Sequence, residues 1–142
     1  NVKTARLVNT LRHPQANAMT EIPVSDVVVL SKDRVLICNR SDTIHVMTLE
    51  GKMVRSLSAK GNELLTGGGE VVFVSCAVSP KRNWIYCLTE DSQLFCFEVR
   101  SGLLKHTIPE THQKRACSVV HHPHFNMIAT VARDCKLRLW SP

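Results

Sequence analysis

One pattern recurs along this chain, and the recurrence restricts the fold more than any other feature. Ser118 to Pro142 (SVVHHPHFNMIATVARDCKLRLWSP) aligns with Ser75 to Val99 (SCAVSPKRNWIYCLTEDSQLFCFEV) at an offset of 43 residues. Pro123 falls under Pro80, Asn126 under Asn83, Ile128 under Ile85, Asp134 under Asp91, Leu137 under Leu94 and Trp140 under Phe97. A looser copy, Asp26 to Leu49, matches at an offset of 50, with Val35, Ser41, Ile44 and Met47 under Ile85, Asp91, Leu94 and Phe97. Each copy lays down short apolar runs between turn residues, and none shows the 3.6-residue period of a helix. Repeats of this size cannot bury their own apolar faces and must pack against one another.

A period of about 40–45 residues with four strands per unit is the mark of a WD-type β-propeller blade. The expected fold class is all-β: a partial propeller of about three four-stranded antiparallel sheets. Residues 1–23 are read as the outer strand of a preceding blade, Ala5 to Leu11, followed by a loop. Residues 24–57 form one blade, 71–108 the next, and 116–142 a last blade lacking its outer strand. Val24 to Leu30 is a continuous apolar run, which predicts a fully buried innermost strand. The connectors Arg12 to Pro23 and Ser58 to Glu70 exceed the usual length. Gly67 to Gly69 in the second is no phosphate loop, because no lysine-serine/threonine ending or helix follows. Rings close with about 4–8 blades, whereas 142 residues hold only about 3.3 copies. Asn1 stands where a Met would begin a chain. The expectation is part of a ring, completed by missing blades or by a second copy whose Ala5 to Leu11 strand pairs with the open last blade.

No run of about 18 apolar residues and no signal-peptide pattern is present, which predicts a soluble chain without membrane attachment. Aromatics make up only 5% of the residues, so Val, Leu, Ile and Ala are expected to fill most of the core. Five of the six cysteines lie in or beside strand patterns, where a reduced thiol packs as a small apolar group. This favours a reducing compartment. His121, His122 and His124 crowd one loop near Cys117 and Cys135, but no Cys-x-x-Cys or His-x3-His pair accompanies them. They are read as loop residues, with no metal or cofactor expected.

The last copy carries a polar constellation with fixed spacing: His112 before the inner strand, Thr130 in the second strand, Asp134 in the turn and Trp140 in the third. The aspartate can accept from the histidine, the histidine can bond the hydroxyl, and the hydroxyl can meet the indole N–H. A buried network satisfied in this way specifies one packing. A hydrolase triad would need the same residue types, but Thr130 sits on a half-buried strand with no nucleophile turn or oxyanion donor. The inner strands offer only Val, Ala, Ser and Cys to a central channel. Catalytic residues are therefore not expected. The middle copy keeps Asp91 but has Cys87 and Phe97. The first has Ile37, Ser41 and Met47, and should depend more on apolar packing.

The net charge of +6 and pI of about 9.2 favour acidic partners. Blade geometry collects Lys32, Arg34, Lys52, Lys81, Arg82 and Arg100 on one face, against few acids: Asp33 and Glu50, with Glu98 close by. Lys32, Arg34, Lys81 and Arg82 are the candidate contacts for an acidic protein segment or for RNA. Exposed aromatics for base stacking are scarce, which argues against sequence-specific single-strand readout.

The segments ICNRSDTIHVM (Ile37 to Met47), GKMVRSLS (Gly51 to Ser58), SPKRNWIYCLTED (Ser79 to Asp91) and HHPHFNMIATVARDCKLRLWSP (His121 to Pro142) resemble the last three blades of the Smu-type spliceosomal WD-repeat proteins. The likeness runs from about Val24 to Pro142, and CNR, WIYC and HHPH are unusual among generic WD repeats. Two positions depart from the WD pattern: Cys135 replaces the glycine after the turn aspartate, and Ser141 replaces the aspartate after the terminal tryptophan. The resemblance implies a seven-bladed ring, a nuclear location and a non-catalytic scaffolding role in pre-mRNA splicing at spliceosome activation. It also implies a RED-type splicing partner, bound through a helical amino-terminal region outside this chain.

Overall fold

The computed structural model describes residues 7, 9, 10, 23–59 and 71–141. They form eleven strands and no helix: β1 Asp26–Val29, β2 Arg34–Cys38, β3 Thr43–Thr48, β4 Met53–Ser58, β5 Phe73–Val78, β6 Trp84–Thr89, β7 Leu94–Glu98, β8 Leu104–Ile108, β9 Ala116–His121, β10 Ile128–Ala132 and β11 Leu137–Trp140. These make three antiparallel meanders, β1-β2-β3-β4, β5-β6-β7-β8 and β9-β10-β11. The residues dictate this order. Runs such as TIHVMT and WIYCLT are rich in β-branched and aromatic side chains, and tight turns at Gly51 (φ 92°) and Gly102 (φ 73°) reverse the chain into the outer strands.

Apolar side chains glue the sheets face to face. Between the first and second lie Leu36, Ile44, Leu57, Phe73, Ile85, Phe95 and Phe97. Phe73 sits edge-on to Phe95 at 5.6 Å and to Phe97 at 6.2 Å. Between the second and third lie Val74, Leu88, Leu94, Val119 and Ile128. The low aromatic content thus misled in one respect: three of the four phenylalanines gather at a single interface. Backbone bonds repeat the link at one end of each sheet. Phe73 N–H donates to Ser41 O (2.9 Å), and Ala116 N–H to Glu90 O (3.2 Å).

The innermost strand of the first sheet corrects an expectation. It is shorter than Val24 to Leu30 and not fully buried: Val27 is 56% and Val29 66% exposed, while Val28 packs into the core. The reason is geometric. A blade strand is covered on both faces only where a blade packs on each side, and among the described residues β1 has a neighbouring sheet, beginning at β5, on one side only. Most of the expected Ala5 to Leu11 strand, of Arg12 to Pro23 and of Ser58 to Glu70, with Gly67 to Gly69, lies outside the described residues. Leu7, Asn9 and Thr10 are described and belong to no strand.

All six cysteines are free thiols. Cys38, Cys76 and Cys87 are buried together, with Cys76 and Cys87 facing each other in register across β5 and β6. The Cys76 thiol and burial push the Cys38 pKa far up, and burial alone pushes Cys96 up to about 11. Cys117 and Cys135 are exposed. Since the thiolate is the reacting form, a thiol reagent at neutral pH should label two cysteines of the native protein rapidly and the other four only slowly or on unfolding. Mass-mapped labelling checks this, and rapid modification of Cys38 or Cys76 would contradict the packing.

Candidate functional site

The four residues of the expected polar constellation meet in space. His112, in the segment before β9, has its side chain sealed from solvent. Its Nδ1 lies 3.0 Å from Asp134 Oδ2 and 3.2 Å from Oδ1. Its Nε2 lies 2.9 Å from Thr130 Oγ1, and Trp140 Nε1–H donates to the same oxygen at 2.9 Å. The directions are self-consistent for a neutral imidazole: indole N–H to hydroxyl oxygen, hydroxyl O–H to Nε2, Nδ1–H to carboxylate. Burial pulls the Asp134 pKa up, but the His112 hydrogen bond and the amides of Lys136 and Gln113 outweigh it and hold the carboxyl below the ordinary 3.8. Every side-chain polar atom of this four-residue network has a partner. The network holds β9, β10 and β11 in one arrangement and leaves no group poised to attack a substrate.

The turn that carries Asp134 explains one departure from the WD pattern. Cys135 adopts φ 61° and, in the matching turn of the preceding blade, Ser92 adopts φ 67°. Both follow a type I turn, where the next residue must enter the left-handed region and glycine does so without a Cβ clash. Cys135 is exposed, so Cys135→Gly should stabilise the protein by roughly 0.5–1 kcal/mol. Ser92 is buried and its hydroxyl donates to Lys114 O at 2.6 Å, so Ser92→Gly should destabilise it. Denaturation midpoints moving in opposite directions would verify the pair.

A second polar cluster joins the innermost strands, and the sequence reading missed it. Asp26 Oδ2 accepts from Ser75 Oγ at 2.8 Å and from the Cys76 amide at 3.0 Å. Ser75 Oγ in turn accepts the Val119 amide at 3.2 Å and lies 3.4 Å from Ser118 Oγ. One carboxylate on β1 thereby reaches β5, and one hydroxyl on β5 reaches β9. The expectation that inner strands hold only Val, Ala, Ser and Cys is corrected: Asp26 belongs to β1. The available signal was an acid heading an otherwise apolar run (SDVVVL), which makes sense only with a partner from another strand. At the end of the sheets where β2 turns into β3, Glu90 Oε1 pairs with Arg40 of the first sheet at 2.6 Å and with Arg115, just before the third, at 3.2 Å.

The candidate contact residues lie at the opposite end, where inner strands turn into second strands. They sit on two separate turns, and Arg34, Lys81 and Arg82 each border a different cleft. Lys32 is exposed in the β1–β2 turn. Arg34 reaches Asp33 at 3.7 Å and lines a cleft of about 270 Å³ with Arg55 and Arg100. Arg55 is committed there, donating from Nη1 to Val99 O at 3.2 Å and Arg100 O at 3.1 Å. Lys81 and Arg82 occupy the β5–β6 turn. Arg82 holds φ 56°, and the turn is pinned by Arg82 N–H to Ser79 O at 2.8 Å and by Ser79 Oγ accepting the amides of Asn83 (3.2 Å) and Trp84 (3.1 Å). Arg82 borders a cleft of about 300 Å³ with Glu98 and Arg100. Lys81 borders one of about 350 Å³ that runs to the β9–β10 loop. In that loop His122 Nδ1 accepts the amides of His124 (3.1 Å) and Phe125 (3.0 Å). Among the described residues no cluster of three His, Cys, Asp or Glu could hold a metal ion.

Comparison with known proteins agrees with this architecture. Residues 102–141 match the model of the WD domain, G-beta repeat. The chain is 25% identical to the WD40 repeat-containing protein smu1 of Dictyostelium discoideum over 142 residues, 99% of this chain and 25% of that protein. It therefore spans about a quarter of the length of that relative. Among solved structures, U3-55K superposes with a TM-score of 0.72 at 12% identity, covering 86% of this chain and 37% of the other. The RRP9 WD40 repeats superpose with a TM-score of 0.71 at 11% identity, covering 86% and 36%. At such identities these two speak for the fold alone. Three meander sheets packed face to face, a WD-domain match over residues 102–141 and a likeness to smu1 along nearly the whole chain give a WD-repeat β-propeller fold that is similar to the Smu-type WD-repeat proteins.

Proposed function

We propose that this chain is part of a seven-bladed, non-catalytic interaction scaffold that serves pre-mRNA splicing in the nucleus at spliceosome activation, with splicing proteins as its partners. One observation carries the scaffold reading. The buried ionisable pair, His112 and Asp134, is fully spent on holding strands together, whereas Lys32, Lys81, Arg82 and Arg100 have no carboxylate partner among the described residues and lie where loops meet solvent. Chemistry needs free groups converging in a cleft, while docking needs rigid, charged loop ends. Kinship with smu1 and the CNR, WIYC and HHPH segments support the splicing assignment. Purification of the tagged, intact protein from nuclear extract should recover splicing proteins after nuclease treatment. Recovery of none would reject the assignment.

The unpaired cations also favour a second reading, direct RNA binding without sequence preference. Phosphate contacts make log K fall linearly with log salt, at about −0.7 per contact for single strands. A steep slope for a mixed-sequence RNA would support this reading, and RNA affinity indifferent to salt would reject it.

A further inference from the structure

We infer that the cleft between the second and third blades, at the end that carries the β5–β6 and β9–β10 loops, is a docking site for an extended acidic peptide segment bearing one large apolar side chain. This deepens the scaffold reading and rests on it. The cleft holds about 350 Å³, room for a large side chain with its flanking backbone. Its floor and rim are built from Lys81, Asn83, Trp84, His124, Phe125 and Asn126, and no acidic residue lines it.

Three features select the occupant. Phe125 is 65% exposed, yet it is held in place: its ring packs on His122 at 4.7 Å, its amide donates to His122 Nδ1, and its carbonyl accepts the Met127 amide at 2.8 Å. The other three phenylalanines are completely buried. An exposed aromatic on a rigid loop is an anchor waiting for an apolar partner. Next, Asn83 and Asn126 occupy the same repeat position on opposite walls, and neither side-chain amide has a hydrogen-bond partner among the described residues. Paired amides offer a donor and an acceptor from each wall, which suits the backbone of an extended peptide. Finally, Lys81 is unpaired at the rim and Arg82 stands beside it on the pinned turn. Glu98, which lines the adjoining cleft with Arg82, already accepts from Ser101 Oγ at 2.5 Å. The charge left over is positive and calls for acidic residues flanking the anchor.

RNA fits less well. Nonspecific single-strand binders present a succession of stacking rings along a continuous cationic track. Here one ring is free, Trp84 is half-buried and tilted against His106 at 6.2 Å, and the cations at this cleft are two neighbours on one turn.

The test is fluorescence anisotropy with the intact protein and three labelled probes: a twelve-residue Asp/Glu-rich peptide with a central Leu, the same peptide with a central Ala, and oligo-uridine. The Leu peptide should bind, and the Ala peptide should bind at least about tenfold more weakly. Phe125→Ala and, separately, Lys81→Glu with Arg82→Glu should each weaken the Leu peptide by about tenfold or more, with unchanged circular dichroism. Equal binding of Leu and Ala peptides, indifference to Phe125→Ala, tighter binding of oligo-uridine with a steep salt slope, or no peptide binding would each overturn the proposal. Recovery of splicing proteins by a Phe125→Ala variant that has lost the peptide would leave the scaffold reading standing. Loss of the scaffold reading is read separately, from the wild-type purification.

Discussion

Thr130→Val should lower the folding stability of this protein by about 2–3 kcal/mol, read as a shifted denaturation midpoint with an unchanged slope. The substitution is nearly isosteric, so packing changes little and the effect isolates the hydroxyl. That oxygen accepts from Trp140 Nε1 and its proton serves His112 Nε2, both at 2.9 Å. Valine leaves both nitrogens without a partner. His112 is fully enclosed and carries the whole penalty of about 1–3 kcal/mol. Trp140 is half-buried and can recover some hydration, which keeps the sum below the maximum. Thr130→Ser retains the hydroxyl and should lose clearly less. An unshifted midpoint for Thr130→Val would mean that the chain of bonds contributes nothing to folding. Acid should act on the same chain. Because the folded Asp134 lies below its ordinary value, its carboxylate adds stability above the unfolded pKa of about 4, and that contribution is lost as pH falls through the folded value.

A larger loss, about 3–5 kcal/mol, is expected for Phe95→Ala. Phe95 is completely buried between the first two blades, edge-on to Phe73 at 5.6 Å. Its removal opens a cavity in the interface that joins those blades and also forfeits an aromatic pair worth about 0.5–1.5 kcal/mol. A domain of this size has about 5–15 kcal/mol in total. The variant should therefore melt well below the wild type and separate the two blades before the second and third part. Hydrogen exchange resolved by segment is the measurement. Uniform loss of protection across all three sheets would show that the interfaces fail together rather than singly.

The contrast between these two sites shows what could be read in advance. The His112–Thr130–Asp134–Trp140 chain was legible because its members sit at fixed offsets within one blade, where strand length and turn type set which side chains meet. The Asp26–Ser75–Ser118 cluster was not, nor was the Arg40–Glu90–Arg115 bridge. Their members come from different blades, and no local rule states how far one sheet is rotated against the next. The Phe73–Phe95–Phe97 cluster escaped for the same reason: alternation marks each ring as inward-facing but not which interface it enters. The candidate contacts suffered likewise. Lys32, Arg34, Lys81 and Arg82 were grouped by charge on one face, and they share one end of the sheets, but Arg34, Lys81 and Arg82 each border a different cleft.

Repeat spacing and apolar alternation by themselves determined that this chain makes successive antiparallel units, two of four strands and a last one of three, and the turn chemistry determined where each unit folds back. Those are consequences of short-range geometry, which a linear string encodes directly. Only the tertiary structure decided which side chains cross from blade to blade, that Phe125 stands free beside Lys81, and that β1 leaves Val27 and Val29 uncovered on one face. Contact between units far apart in sequence depends on how rigid sheets pack, and the apolar surface that drives this packing is non-directional.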